Sequence, residues 1–319
     1  MKALLALLLL PGALYAGFEC PRKPVAGDMA AETAEDCPWA GAARLLNAEA
    51  AAGRGLDQVF NAYAPSVPEQ AASDRADKAA LKLWGRSINY DELAEGEIVN
   101  PAILGWLSAK TGVPAPAGRI MHAGVEHTYG YLFSLLPTKF GFKRARWVRP
   151  DVGAGLGLPK GVISPEPSSG TLLANVTCAA GGIALKDDPA ALALLKEAAK
   201  FCAPEAAAFI GKGIRRQRLT ETLRLPQGRT VALRTDFVSF AAEQGGNTHL
   251  LVYSVYDSSA GQAMLISAFP VNAGFVRGAL DPKGLGEGKL VQTRYNAYVE
   301  GVTGVAKLSG RREAAARAD

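Results

Sequence analysis

Residues 218–270 read RLTETLRLPQGRTVALRTDFVSFAAEQGGNTHLLVYSVYDSSAGQAMLISAFP, and this stretch decides the fold. Four runs rich in β-branched and aromatic residues follow one another, at 218–225, 229–240, 248–256 and 262–270. They are separated by Pro226-Gln227-Gly228, by 243–247 and by 257–261. These connections are short, polar and glycine-containing, which suits antiparallel hairpins. Parallel neighbours need a crossover of a dozen or more residues. The stretch therefore predicts a four-strand antiparallel meander.

Downstream, residues 290–299 read as one more strand, and 311–319 as a frayed tail rich in alanine and charge. Upstream, the aromatic and β-branched content of 125–135 and 140–148 predicts a hairpin joined by Pro137-Thr138-Lys139. Residues 151–170 form a Gly/Pro/Ser-rich loop, and 171–177 read as a strand. Asp188-Pro189 starts a helix that Pro204 continues and Gly211 ends.

Before residue 120 the pattern is helical. Asp36 caps a helix with Pro38 in its first turn. Leu56, Val59, Phe60 and Tyr63 fall on one helical face. Ser73 opens a third helix, and Asn100-Pro101 a fourth that Gly112 stops. The expected class is α+β, an N-terminal helical region packed with a mainly antiparallel β region. The organisation is a signal peptide over 1–16, a helical region over 17–119, and a β-rich domain over 120–308 with a helical insertion at 188–210. A flexible tail covers 309–319.

The N-terminus supports the first of these. Lys2 precedes an unbroken apolar run over 3–10, and Ala16 stands at a cleavage point. That run is shorter than the ~20 residues that span a bilayer, and no later segment is apolar enough to do so. The expected location is periplasmic or extracellular. Cys20, Cys37, Cys178 and Cys202 all follow the cleavage point. In an oxidising compartment they read as two disulfides, and Cys20–Cys37 with Cys178–Cys202 closes the shortest loops. The 319 residues carry a net charge of +5 and are 49% hydrophobic. That composition is globular, and a charge this mild is no argument for nucleic acid.

The chain has three histidines, His122, His127 and His249. Together they suggest a zinc site with Glu126 as general base, hence a metal-dependent hydrolase. The i, i+5 spacing of His122 and His127 chelates on neither a helix nor a strand, so Gly124 would have to break the backbone between them. Asp257 is a candidate carboxylate partner for a histidine, although Asp257-Ser258-Ser259 is also ordinary turn chemistry. The cluster Arg215-Arg216-Gln217-Arg218 reads as a solvated start of a strand. Gly153, Gly155 and Gly157 lack the following helix of a phosphate loop.

The aromatics carry the other reading. Tyr129, Tyr131 and Phe133 share one face of the expected strand, and Tyr253 lies on the meander. Such a surface binds a small molecule, a carbohydrate or another protein. The first reading is accordingly an exported, disulfide-stabilised binding protein with its recognition surface on the β-rich half. The metal-dependent hydrolase is the alternative.

Overall fold

Turn chemistry places the strands of the meander. Gly228, Gly246 and Gly261 sit in the three connections with φ of 75°, 83° and 71°, a left-handed backbone that residues with a Cβ rarely adopt. The computed structural model describes residues 37–91, 94–138, 141–148, 150–159, 170–211, 213–225, 228–241, 246–280, 297–299 and 312–313.

In chain order the helices α1 (Cys37–Ala51), α2 (Asp57–Tyr63), α3 (Ser66–Asp74) and α4 (Lys78–Lys82) lead to strand β1 (Arg86–Ile88). Next come α5 (Pro101–Thr111), β2 (Ile120–His122), α6 (Ala123–Val125), a π-helical turn at Glu126–Gly130, α7 (Ala145–Val148) and α8 (Pro150–Gly155). The chain continues through α9 (Leu172–Ala184), α10 (Pro189–Ala198) and α11 (Pro204–Gly211). The meander follows as β3 (Arg216–Arg224), β4 (Thr230–Ala241), β5 (Asn247–Asp257) and β6 (Gln262–Val271). Helix α12 (Ala273–Leu280) and the short strands β7 (Ala297–Tyr298) and β8 (Arg312–Glu313) close the described chain.

The α+β class holds. The larger sheet has the order β6-β5-β4-β3-β8 and the smaller one β2-β1-β7. Every pairing within both is antiparallel.

Local sequence explains several helix boundaries. The Asn100 side chain accepts from Ala102 N at 2.9 Å, Pro101 follows it, and Gly112 ends α5 at φ 74°. Asp188 accepts from Ala191 N in the same way to start α10. Ser73 is not the expected cap: it lies inside α3, and Asp77 caps α4 by accepting from Ala80 N at 2.9 Å.

Three expected strands are helical. Residues 125–132 continue α6 through the π turn, 145–148 form α7, and Thr171 caps α9 by accepting from Ala174 N. All thirteen residues of α9 are buried, so it has no polar face to reveal a helical period. Its Gly182 allows the backbone of α11 to come close. A Cβ there would lie 2.5 Å from the backbone carbon of Phe209 in α11.

Helix α9 lies at the centre, between the N-terminal helices and the inner face of the meander. Val238, Leu250, Val252, Leu265 and Ala268 supply that face. Fully burying one such side chain contributes roughly 1.5–3 kcal/mol. On the outer face Val231, Leu233, Phe237, Leu251, Tyr253 and Val255 form a second apolar cluster with Val276 of α12. The basic run at the start of β3 is not solvated but bound to this frame. Arg216 and Arg218 donate to Ile183 O and Ala184 O at the end of α9 and pair with Asp187 and Asp236. Cations favour a helix C-terminus, where unpaired carbonyls concentrate negative potential.

Cys178 of α9 and Cys202 are bonded to each other, with 6.6 Å between their Cα atoms. This is one of the two expected bridges. Cys20 and the side chain of Cys37 lie outside the described residues, as do the expected leader over 1–16 and most of the strand expected at 290–299. Among the described residues no helix is long and apolar enough to cross a membrane.

Candidate functional site

The small sheet lines up three side chains in one row. Arg86 lies opposite His122 on one side and Tyr298 on the other. Residues directly opposite in a ladder point to the same face. The guanidinium of Arg86 sits 4.8 Å from the centroid of the Tyr298 ring, a cation–π arrangement.

The large sheet faces this row with its outer surface. A β-bulge shapes that surface. Tyr253 pairs with Ser267 and Ser254 with Leu265, so Ile266 is the extra residue. Such a residue is turned out of the ladder and its polar groups are released. Its side chain joins Val255 and Met264 on the outer face. Its carbonyl, lost to the ladder, accepts from Nδ1–H of His127.

Between the two sheets lies a cavity of about 430 Å³. Trp84, Met121, Val255, Met264, Ile266 and Val299 give it apolar walls. Arg86, His122, Arg229 and Asp257 supply polar groups.

These polar groups are already oriented. His122 donates from Nε2 to Leu81 O at 2.9 Å and accepts from Val125 N through Nδ1 at 3.2 Å. Burial pulls its pKa down to about 4, so the ring is neutral and both nitrogens are used. Asp257 accepts from Arg229 through both oxygens, and from the backbone and hydroxyl of Ser259 at 2.9 and 2.8 Å. The Arg229 hydrogen bonds hold its carboxyl down at about 2. The carboxylate partner expected for a histidine is therefore an arginine partner that closes a turn.

No family model, curated protein or solved structure matches this chain. Function is argued from the site alone.

Behind β1, on the side away from the cavity, lies a buried polar cluster. Ser87 is buried there and donates to Glu126 Oε2. Glu126 and His127 are 0% and 1% exposed and neighbours in the π turn, a helical irregularity that is rare and frequent at functional sites. His127 Nε2 lies 3.7 Å from Glu126 Oε2. Neither His127 Nε2 nor Glu126 Oε1 has a hydrogen-bond partner among the described residues. Burial raises the Glu126 carboxyl to about 7, against the hydrogen bond from Ser87 and the charges of Lys143 and Arg146. Burial also drives His127 well below its usual range, helped by Arg146. Lys143 is brought down to about 7 by burial and by Arg146, while Asp91, 3.5 Å away, opposes the shift. The cluster favours neutral forms of both Glu126 and His127.

The structure brings Glu126 and His127 together and holds the other histidines apart. His249 lies on β5 against Ser239 Oγ at 2.7 Å. His122 faces the cavity and is fully engaged. Among the described residues no group of three His, Cys, Asp or Glu side chains could hold a metal ion. The cations Lys143 and Arg146 beside Glu126 would repel one. The zinc reading thus lacks its ligand set.

The tyrosine surface is also corrected. Tyr129, Tyr131 and Tyr253 are 0%, 1% and 3% exposed. Tyr129 donates to Asp74, and Arg146 covers the ring of Tyr131 at 4.7 Å. They are interior side chains, because the segment carrying the first two is a buried helix and not the face of a sheet. Sequence reasoning missed Arg86, Met264 and Ile266. Only their pairing across distant strands makes them neighbours.

Proposed function

We propose that the protein is an exported, disulfide-stabilised binding protein that holds a small, largely apolar molecule between its two sheets. The cavity of about 430 Å³ carries this reading. Its volume falls within the roughly 300–1,000 Å³ of small-molecule sites, and apolar walls with a few oriented polar groups are their usual lining. Arg229 and Asp257 neutralise each other, and His122 is uncharged. The chemistry offered is contact area and shape, with Arg86 and Tyr298 at one edge. Export rests on the leader-like first residues and on the Cys178–Cys202 bridge, which persists in oxidising compartments.

The test uses 1-anilinonaphthalene-8-sulfonate, an aromatic probe whose emission rises in apolar surroundings. Saturable one-to-one binding with transfer of excitation from Trp84, which lines the cavity, is expected. Met264→Trp fills the space and should abolish binding while circular dichroism stays unchanged. Undiminished binding to that folded variant would remove the cavity from consideration. Export has a separate readout: a product that keeps Met1 and four free thiols refutes it.

A further inference from the structure

A second cavity, of about 240 Å³, opens between α3, the start of α4 and the start of α9. Glu69, Gln70, Asp74, Asp77, Thr171 and Phe201 line it. Three of these are carboxylates, and no lysine, arginine or histidine lines it among the described residues.

Two of the carboxylates are buried, Asp74 and Asp77 each at 1% exposure. Asp74 accepts from Tyr129 and, at 2.7 Å, from Thr171. Asp77 uses Oδ1 to cap α4. Asp77 lines the cavity, and its other oxygen, Oδ2, is buried with no hydrogen-bond partner among the described residues. A buried carboxylate oxygen without a donor is costly, and a second carboxylate beside it adds repulsion. Phe201 stands at the rim with 48% of its surface exposed, one of two large apolar side chains so exposed among the described residues.

We propose that this cavity binds an organic ammonium ion, which donates to Asp77 Oδ2 and Asp74 and rests against the ring of Phe201. The ammonium supplies the donor that Asp77 Oδ2 lacks and the opposite charge that the lining lacks among the described residues. An aromatic ring beside a cation adds to both. A metal ion fits less well, since the described residues offer no three-ligand set. The state of the carboxylates agrees. Burial raises Asp74 to about 7, with the charge of Asp77 adding to the shift, and burial also raises Asp77. A bound cation would favour the ionised forms, so affinity should rise between pH 5 and 8.

Titration calorimetry with benzylammonium, with neutral benzyl alcohol as control, tests the proposal on the full mature chain. Asp77→Asn keeps an N-cap residue and removes the charge. It should weaken benzylammonium about tenfold or more. Phe201→Ala, at an exposed position, should weaken it about three- to tenfold. Benzyl alcohol should give no saturable heat. Benzylammonium that binds the wild type no better than the alcohol, or binds Asp77→Asn unchanged, overturns the proposal. So does displacement by millimolar calcium, which would mark a metal site. If Asp77→Asn fails to fold, Phe201→Ala and the pH dependence of the wild type decide the matter.

Discussion

Replacing Glu126 by glutamine should change how stability depends on pH more than it changes stability at any one pH. Glu126 titrates near 7 in the folded chain against an ordinary 4.5. Between those values the folded state holds a proton that the unfolded state has lost. Stability from this group is therefore full below about pH 4.5, falls as pH rises, and levels off above 7. A shift of this size corresponds to about 3 kcal/mol. Glutamine has no proton to lose and can still accept from Ser87. The stability of Glu126→Gln relative to wild type should thus climb by about 3 kcal/mol between pH 4.5 and 7.5. Urea unfolding at half-unit intervals, with both proteins in the same buffers, measures the difference. The comparison cancels the titration of His122, which runs the opposite way because its folded pKa is depressed. Lys143, also near 7, loses the attraction of Glu126 in the variant and so affects mainly the upper end of the range. A wild-type-to-variant gap that stays constant across this range would show that burial does not hold the Glu126 proton, and the account of the π turn would fail with it.

Two further outcomes follow from the packing of α9. Breaking the Cys178–Cys202 bridge by Cys202→Ser releases a loop of 24 residues of separation and should cost roughly 3 kcal/mol in urea unfolding; a loss below 1 kcal/mol would mean that the unfolded chain is scarcely restricted by it. Gly182→Ala drives a methyl into the backbone of α11 and should cost about 2 kcal/mol or more, and a variant as stable as wild type would show that the two helices separate freely.

The meander was legible because three separate signals agreed. Its runs had strand composition, its connections were short, and glycine stood where the backbone needed it. The observed strands differ from the expected runs by at most two residues at most of their ends. Asn100-Pro101 and Asp188-Pro189 were legible for a similar reason, since a cap and its proline act within one turn. The segment 125–135 was not. Its aromatic residues suit a strand by propensity, but here they are buried all round a helix, and a short apolar run does not distinguish the two by period. Residues 171–177 failed likewise, although Thr171 as a cap and the apolar stretch of 172–184 exceeded the length of an ordinary strand. Of the candidate site, His122 and Asp257 do reach the cavity, but in roles set by Leu81, Val125 and Arg229. The cavity is assembled from positions as far apart as Arg86 and Tyr298, and a linear pattern does not carry such pairings.

The enclosure of α9 bears on how the chain acquires its shape. The helix spans 172–184, yet part of its cover comes from α11 and from strands that end at Val271. A nascent chain that has emerged only as far as residue 210 holds the thirteen residues of this helix with nothing from the meander to pack on. The sheet that completes the cover of α9 ends about sixty residues further on, at Val271.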